Sequence, residues 1–297
     1  MITLDPRTRK AQRTSPAPKE PLAFEPDSGM RGPSPFFSAG GEPLRVDGMY
    51  RKAVLFLICS GPSLSTLDLA PLRDRGRLTM AVNNAWLRHR PDFWVGVDNP
   101  AQFADTGWRD PGVLKFVPAA HLGRRLRTWS EGEIKASLLT PRDCPGVVAF
   151  RRHDGYDPAT FLDLPVCGWG TLKGTKCALG IKGARSVMTA ALWIAVKLGF
   201  TTINLLGCDF HMPPEGDCYA FGQDKHERGR ASNNRLYRVL NQRLTSLTPY
   251  LKSRRIQVWN ANPSSGLTCF PHKPYAQMLE ESHPYCRTAV PEGGWYK

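Results

Sequence analysis

The chain is punctuated by short apolar runs, each of which stops abruptly at small or amide-bearing residues. AVLFLI stops at Cys59-Ser60-Gly61-Pro62-Ser63, RLTMAV at Asn83-Asn84, and FWVGV at Asp98-Asn99-Pro100. Later in the chain, TTINLL stops at Gly207-Cys208-Asp209 and RIQVW at Asn260-Ala261-Asn262. A strand-length run with no polar alternation suits a parallel strand covered on both faces. VLKFVPA adds a further strand of this kind, and a helix is expected to start over Leu67–Leu72. The spacing is that of βαβ units, so the expected class is α/β, a mostly parallel sheet flanked by helices.

Residues 1–50 are rich in Pro, Ser, Gly and charge without apolar period, which predicts an extended or disordered N-terminal arm. The α/β domain is expected over 51–275, with a lid or insertion near 121–180, where basic clusters and glycines replace periodic segments. An irregular tail is expected over 276–297. Ser186 suits the N-cap of a helix VMTAALWIAVKL, apolar nearly all round and closed by Gly199. Over 232–252, Leu236, Val239, Leu240, Leu244, Leu247 and Leu251 share one stripe, Arg235, Arg238 and Arg243 lie elsewhere, and Pro249 is placed to bend or divide the helix.

Forty basic against 26 acidic residues give a net charge of +14, while residues 1–50 are nearly neutral. The stretch 222–260 holds nine Lys/Arg against Asp224 and Glu227, a field that favours phosphates, nucleic acid or another anionic surface. The eight cysteines contain no CxxC pair and several sit in apolar runs, which reads as free buried thiols in a reducing, cytoplasmic compartment. No apolar run approaches the twenty or so residues of a membrane span, and the N-terminus lacks the apolar core of a secretory signal.

In an open parallel sheet, ligands bind beyond the carboxyl ends of the strands, where strand order reverses. Strand ends rich in Asn, Asp, Ser and Gly therefore predict a pocket for a polar, hydroxyl-bearing ligand, with Asn84, Asp98 and Asp209 among its residues. In SGPSL, Gly61 permits close backbone approach and Ser63 offers a hydroxyl beside free N–H groups. No paired acids stand at a strand end to bridge a metal to a diphosphate. A metal-free leaving phosphate would need donors such as His211 and Tyr219, with His226, Arg228 and Arg230 following.

LFLICSGPSLSTLDLAPL, MAVNNAW, VGVDNPAQF and LWIAVKLGFTTINLLGCDF…YAFG, in that order, resemble the bacterial sialyltransferases that use CMP-sialic acid. The likeness covers residues 53–103 and 185–221. It implies a Rossmann-type, GT-A-like fold and an inverting, metal-independent glycosyltransferase with no cofactor, only a CMP-linked sugar donor. Ser60, Gly61, Ser63, Asn83 and Asn99 would hold the nucleotide-sugar, joined by Arg185 at the start of the second matching stretch. Tyr219 matches a tyrosine that donates to the departing phosphate, and His211 stands where that family has a second one. The family's general base falls in GRASNNR, and His226 is the nearest imidazole. The basic excess suggests an anionic acceptor, a surface glycan or a modified nucleic acid, and leaves room for a homo-oligomer. GPSL with GxD also resembles 6-hydroxymethylpterin pyrophosphokinase-like proteins, which would mean ATP and Mg²⁺ held by Asp98 and Asp209. A catalytically degenerate, nucleic-acid-binding or particle-associated protein, tethered by its arm, is the third reading.

Overall fold

A computed structural model describes residues 33–282, apart from 75, 104, 131–132, 154, 169–185 and 222–226. Nine strands form one sheet: β1 (Phe36–Ser38), β2 (Pro43–Leu44), β3 (Val54–Ile58), β4 (Thr79–Val82), β5 (Phe93–Val95), β6 (Leu114–Pro118), β7 (Val147–Phe150), β8 (Thr202–Leu206) and β9 (Gln257–Asn260). Their order is β9-β8-β3-β4-β5-β6-β7-β1-β2. All neighbours from β9 to β7 pair in parallel, and β1 pairs antiparallel with both β7 and β2. The protein is thus α/β with a largely parallel central sheet. Chain order leaves β3 outward through β4 to β7, then returns to the other side of β3 with β8 and β9. The reversal point lies between β3 and β8.

The unbroken apolar runs follow from burial on both faces. Leu55 and Leu57 of β3 join one core, with Met80, Val95, Phe116 and the helix α3 (Val187–Leu198), which follows the short helices α1 (Ala70–Asp74) and α2 (Asp105–Arg109). The alternate residues Phe56 and Ile58 join the other, with Trp86, Trp94, Trp108 and Leu64. Period-2 alternation puts successive side chains on opposite sides, so a strand covered twice has no polar position. Helix α3 is capped as its sequence predicts: Ser186 Oγ accepts from Met188 N at 3.0 Å, and Gly199 closes it with φ +99°.

Three expectations shift. Residues 34–50 belong to the compact unit, which begins at Ser34, rather than to an arm, and residues 1–32 lie outside the described ones. Phe36 is fully buried on β1 against Phe116 and Trp193, and Gly48 N and Tyr50 N bond the terminal carbonyls of α3 at Lys197 and Leu198. The stretch near 121–180 supplies β7 to the sheet as well as a small hairpin, Arg127–Ser130 with Glu133–Ala136. The expected tail over 276–297 starts inside a helix, Tyr275–Glu281, whose Met278 enters the second core; residues 283–297 lie outside the described ones.

The long helix α4 (Glu227–Ser253) runs through Pro249 undivided. Its buried stripe includes Arg243, which the pattern places elsewhere. That guanidinium lies 4.6 Å above the Tyr156 ring, and Tyr156 Oη donates to Arg243 O at 2.8 Å. A cation over a ring face loses less on burial than an isolated charge would. Among the described residues no helix is long and apolar enough to cross a membrane. Cys59, Cys144, Cys167, Cys208 and Cys218 are free and buried and Cys269 is free and half-buried, while Cys177 and Cys286 lie outside the described residues.

Candidate functional site

The turn after β3 and the turn after β8 are locked together. Asp209 Oδ2 accepts from Ser63 N at 2.8 Å, its Oδ1 accepts the Ser63 hydroxyl, and Asn262 Nδ2 donates to Oδ1 at 2.8 Å. A Cβ on Gly61 would stand 2.5 Å from Asp209 Oδ2 and 2.6 Å from Gly207 O, so glycine is required there by the protein itself. Gly61 N also donates to Gly207 O at 2.8 Å. From the β9 end, Asn260 Nδ2 and Ser265 Oγ both donate to Cys208 O, at 3.1 and 2.6 Å. A carboxylate therefore occupies the donors that SGPSL was expected to offer a phosphate.

Beside this clamp lies a cavity of about 240 Å³ at the reversal point. Its floor is Cys59, Ser60 and Gly61 from the end of β3, Asn83 from the end of β4, Asp98 beyond β5, and Gly207 to His211 beyond β8. The segment Cys218–Tyr219 closes one side, positioned by Ala220 N donating to Ser60 O at 3.0 Å. Helix α4 closes the other with Asn233, Leu236, Tyr237 and Leu240, residues spaced to share one face.

The backbone of the loop from Phe210 to Cys218 is held to α4 by Asn234 and Arg230, and Asn233 Nδ2 donates to Met212 Sδ at 3.2 Å. Asn234 Oδ1 accepts from Met212 N at 2.8 Å while its Nδ2 donates to Met212 O at 3.0 Å. The buried Arg230 donates to Pro213 O at 2.7 Å and to Gly216 O at 2.9 Å. Two aromatic stacks flank the cavity, Tyr219 on Phe221 at 5.3 Å and Phe210 on Tyr237 at 5.1 Å between centroids.

Protein-family models, curated proteins and solved structures yield no match to this chain. What the site can do is therefore argued from its own groups. Burial, then the neighbouring Tyr219, pushes the Tyr237 hydroxyl well above the ordinary tyrosine range, so it stays protonated and donates. The hydrogen bond between Cys208 and Cys59, then burial, raises Cys208 strongly, which leaves a thiol rather than a thiolate at neutral pH. Asn83 adopts φ +49°, and its main-chain carbonyl accepts Trp94 Nε1 at 2.7 Å. Its Oδ1 is buried with no protein donor among the described residues, which suits an acceptor waiting for a ligand hydroxyl or amine.

Of the residues singled out from the sequence, Ser60, Gly61, Asn83, Asp98, Asp209, His211 and Tyr219 line this one cavity. Ser63 does not; both its donors go to Asp209. Asn99 instead caps the short helix Pro100–Gln102, its Oδ1 accepting from Ala101 N at 3.2 Å in an exposed position. Asn84 lies off the lining, and Arg228 is exposed. Arg185 and His226 fall outside the described residues. Sequence reasoning missed Tyr237 and Asn233. Asn233 and Tyr237 stand four apart, and each precedes Leu236 or Leu240 by three, a spacing that shares one helix face, but which face met the cavity needed the fold.

The assembled groups are hydroxyl and imidazole donors, amides, and the thiols of Cys59, Cys208 and Cys218, around a floor of close-packed glycine and Asp209. Among the described residues no three His, Cys, Asp or Glu side chains are grouped to hold a metal ion. Asp209 is fully engaged by Ser63 and Asn262 and stands as a structural clamp.

Proposed function

We propose that the protein is a glycosyltransferase of the inverting, metal-independent kind, similar to the bacterial sialyltransferases and built on a Rossmann-type, GT-A-like sheet. The single observation that carries the reading is that Tyr219 and Tyr237 line the same cavity at the point where strand order reverses. Two phenol hydroxyls beside a leaving phosphate supply the charge stabilisation that a metal would otherwise give.

In this reading the donor is a nucleotide-activated sugar, CMP-linked, with Asn83 and the Ser60–Gly61 floor holding it. The acceptor oxygen attacks the anomeric carbon and the bond from that carbon to the phosphate oxygen breaks. The electron pair stays on the departing CMP phosphate oxygen, whose charge the Tyr219 and Tyr237 hydroxyls stabilise by donating hydrogen bonds. His211, which the resemblance places on the phosphate, is freed by Tyr237 to accept the acceptor's proton. Exposed Arg228, Arg235 and Arg238 on α4, the helix that lends Tyr237 to the wall, favour an anionic acceptor. The competing ATP–Mg²⁺ reading needs Asp209 as a ligand, and its carboxylate is already bonded to Ser63 and Asn262.

The test is nucleotide release from CMP-linked sugars in excess EDTA, with glycan and nucleic-acid acceptors. Acceptor-dependent CMP formation is expected. Formation of AMP from ATP that requires Mg²⁺, with no CMP release, would replace this reading by the pyrophosphokinase-like one.

A further inference from the structure

Helix α4 has two sides of different composition. Its inner side carries Leu240, Leu244, Leu247 and Leu251 into the core and turns Asn233 and Tyr237 to the cavity. At about 3.6 residues per turn, Arg228, Arg235, Arg238, Gln242, Thr245 and Lys252 fall within about a third of the circumference, on the opposite side. All six are exposed. Because the helix continues through Pro249, this outer ridge runs about 36 Å from Arg228 to Lys252.

The ridge carries charge of one sign. Glu227 is the only carboxylate of α4 and stands in the first turn, where it complements the helix dipole. Other surface arginines are paired with acids, Arg109 with Asp105 and Arg254 with Asp163. Arg228, Arg235, Arg238 and Lys252 form no ion pair among the described residues. Arg235 and Arg238 stand three apart, a like-charge pair that destabilises the helix unless an anion lies beside it.

The geometry selects the kind of anion. Arg228 and Arg238 are about 15 Å apart along the axis, too far for one small ion to meet both. A guanidinium grips phosphate oxygens in a two-point fork, which suits a chain of phosphates laid along the ridge. A helix that lies in a membrane surface pushes large apolar residues into the lipid beside its charges. Here the intervening exposed residues include Ala231, Gln242, Thr245 and Pro249, and none of these is large and apolar. The net charge of +14 adds long-range attraction for a polyanion.

We infer that the outer face of α4 binds the phosphodiester backbone of a nucleic acid, with Arg228, Arg235, Arg238 and Lys252 neutralising its phosphates. The contact is to backbone charge and carries no sequence preference. It goes beyond the transfer reaction proposed for the cavity and does not depend on it, since Tyr237 faces the cavity from the inner side of the helix.

Fluorescence anisotropy of the whole protein with a labelled oligothymidylate, and with a duplex of the same length, tests it over a series of KCl concentrations. Saturable binding that weakens as salt rises is expected. Arg235→Gln combined with Arg238→Gln should weaken it about ten-fold or more and make the slope of log K against log salt shallower by about 1.5. Arg109→Gln combined with Arg142→Gln removes the same charge from exposed positions on other elements and should change both far less. Tighter binding of the single strand than of the duplex would identify single-stranded nucleic acid as the partner; the reverse would identify the duplex. Equal effects of the two double variants would reduce the contact to net charge and overturn the α4 surface. So would absence of saturable binding to both probes, or an α4 double variant that binds as the wild type does. Retention on phosphatidylserine vesicles with no binding to either nucleic acid would overturn it in favour of a membrane surface.

Discussion

Asp209, at the end of β8, takes both the backbone N–H and the hydroxyl of Ser63, which stands on the turn after β3. The pair ties together the two strands between which the sheet reverses direction. Hydrogen bonds to a charged acceptor contribute about 1.5–3 kcal/mol each, and Ser63 N would lose its acceptor. Asp209→Ala is therefore expected to cost on the order of 3 kcal/mol in urea unfolding. Gly61→Ala, which forces a Cβ against Asp209 and Gly207 O, should cost about 2 kcal/mol or more through the same clamp. A cost below half a kcal/mol for both would mean that the clamp adds little.

The paired phenols lead to a kinetic prediction. In the proposed transfer, Tyr219→Phe and Tyr237→Phe each remove one donor to the leaving phosphate and keep the stacked ring, so kcat should fall by about 10²-fold with little change in KM. Steady-state turnover of a CMP-linked sugar checks this. A rise in KM at constant kcat would make either tyrosine a binding group only.

Arg230 donates to Pro213 O and Gly216 O from a buried position. Arg230→Met keeps the apolar stem and loses both bonds, for an expected cost of about 2 kcal/mol. The loop around Met212–Cys218 should also become the first site of limited proteolysis. An unchanged cleavage pattern would show that Asn234 alone holds the loop.

His89 and His121 are both buried, and their imidazoles are held down to about 4. For His121, burial is followed by Arg152, whose guanidinium lies 3.3 Å from Nε2, and by Arg124. Since arginine can only donate, Nε2 must accept and the ring is neutral. Below pH 6.5 the unfolded chain binds protons that the folded one refuses, so stability is lost as pH falls from 6.5 to 4. Each imidazole contributes on the order of 2 kcal/mol to that loss. Asp92, raised by burial, opposes the trend from the acidic end, so the comparison must be between variants. His121→Gln should flatten the decline of the urea midpoint over this window relative to the wild type, and parallel curves would contradict the neutral-ring assignment.

The strands were legible because two-sided burial leaves a plain trace: Val54–Ile58, Thr79–Val82 and Thr202–Leu206 all stand within their apolar runs. Helix α3 was legible through Ser186 and Gly199, whose local chemistry sets both ends. Strand β1 was not, since only Phe36 and Phe37 mark it inside a Pro- and Gly-rich stretch and its partner β7 lies over a hundred residues away. The convergence of Ser60, Asn83, Asp98 and Asp209 followed from strand ends alone. The roles of Ser63 and Asn99 did not, because a side chain that caps its own backbone and one that binds a ligand look identical in sequence. Tyr237 was hidden for a different reason: a long amphipathic helix has a polar-to-apolar boundary at each flank, and only packing shows which flank meets a cavity.

The most direct measurement of the central claim is calorimetric titration of CMP and of ATP into the protein, each in EDTA and in Mg²⁺. The account predicts saturable CMP binding at one site in EDTA, unaltered by Mg²⁺. ATP binding that appears only with Mg²⁺, with no CMP binding under either condition, would contradict it.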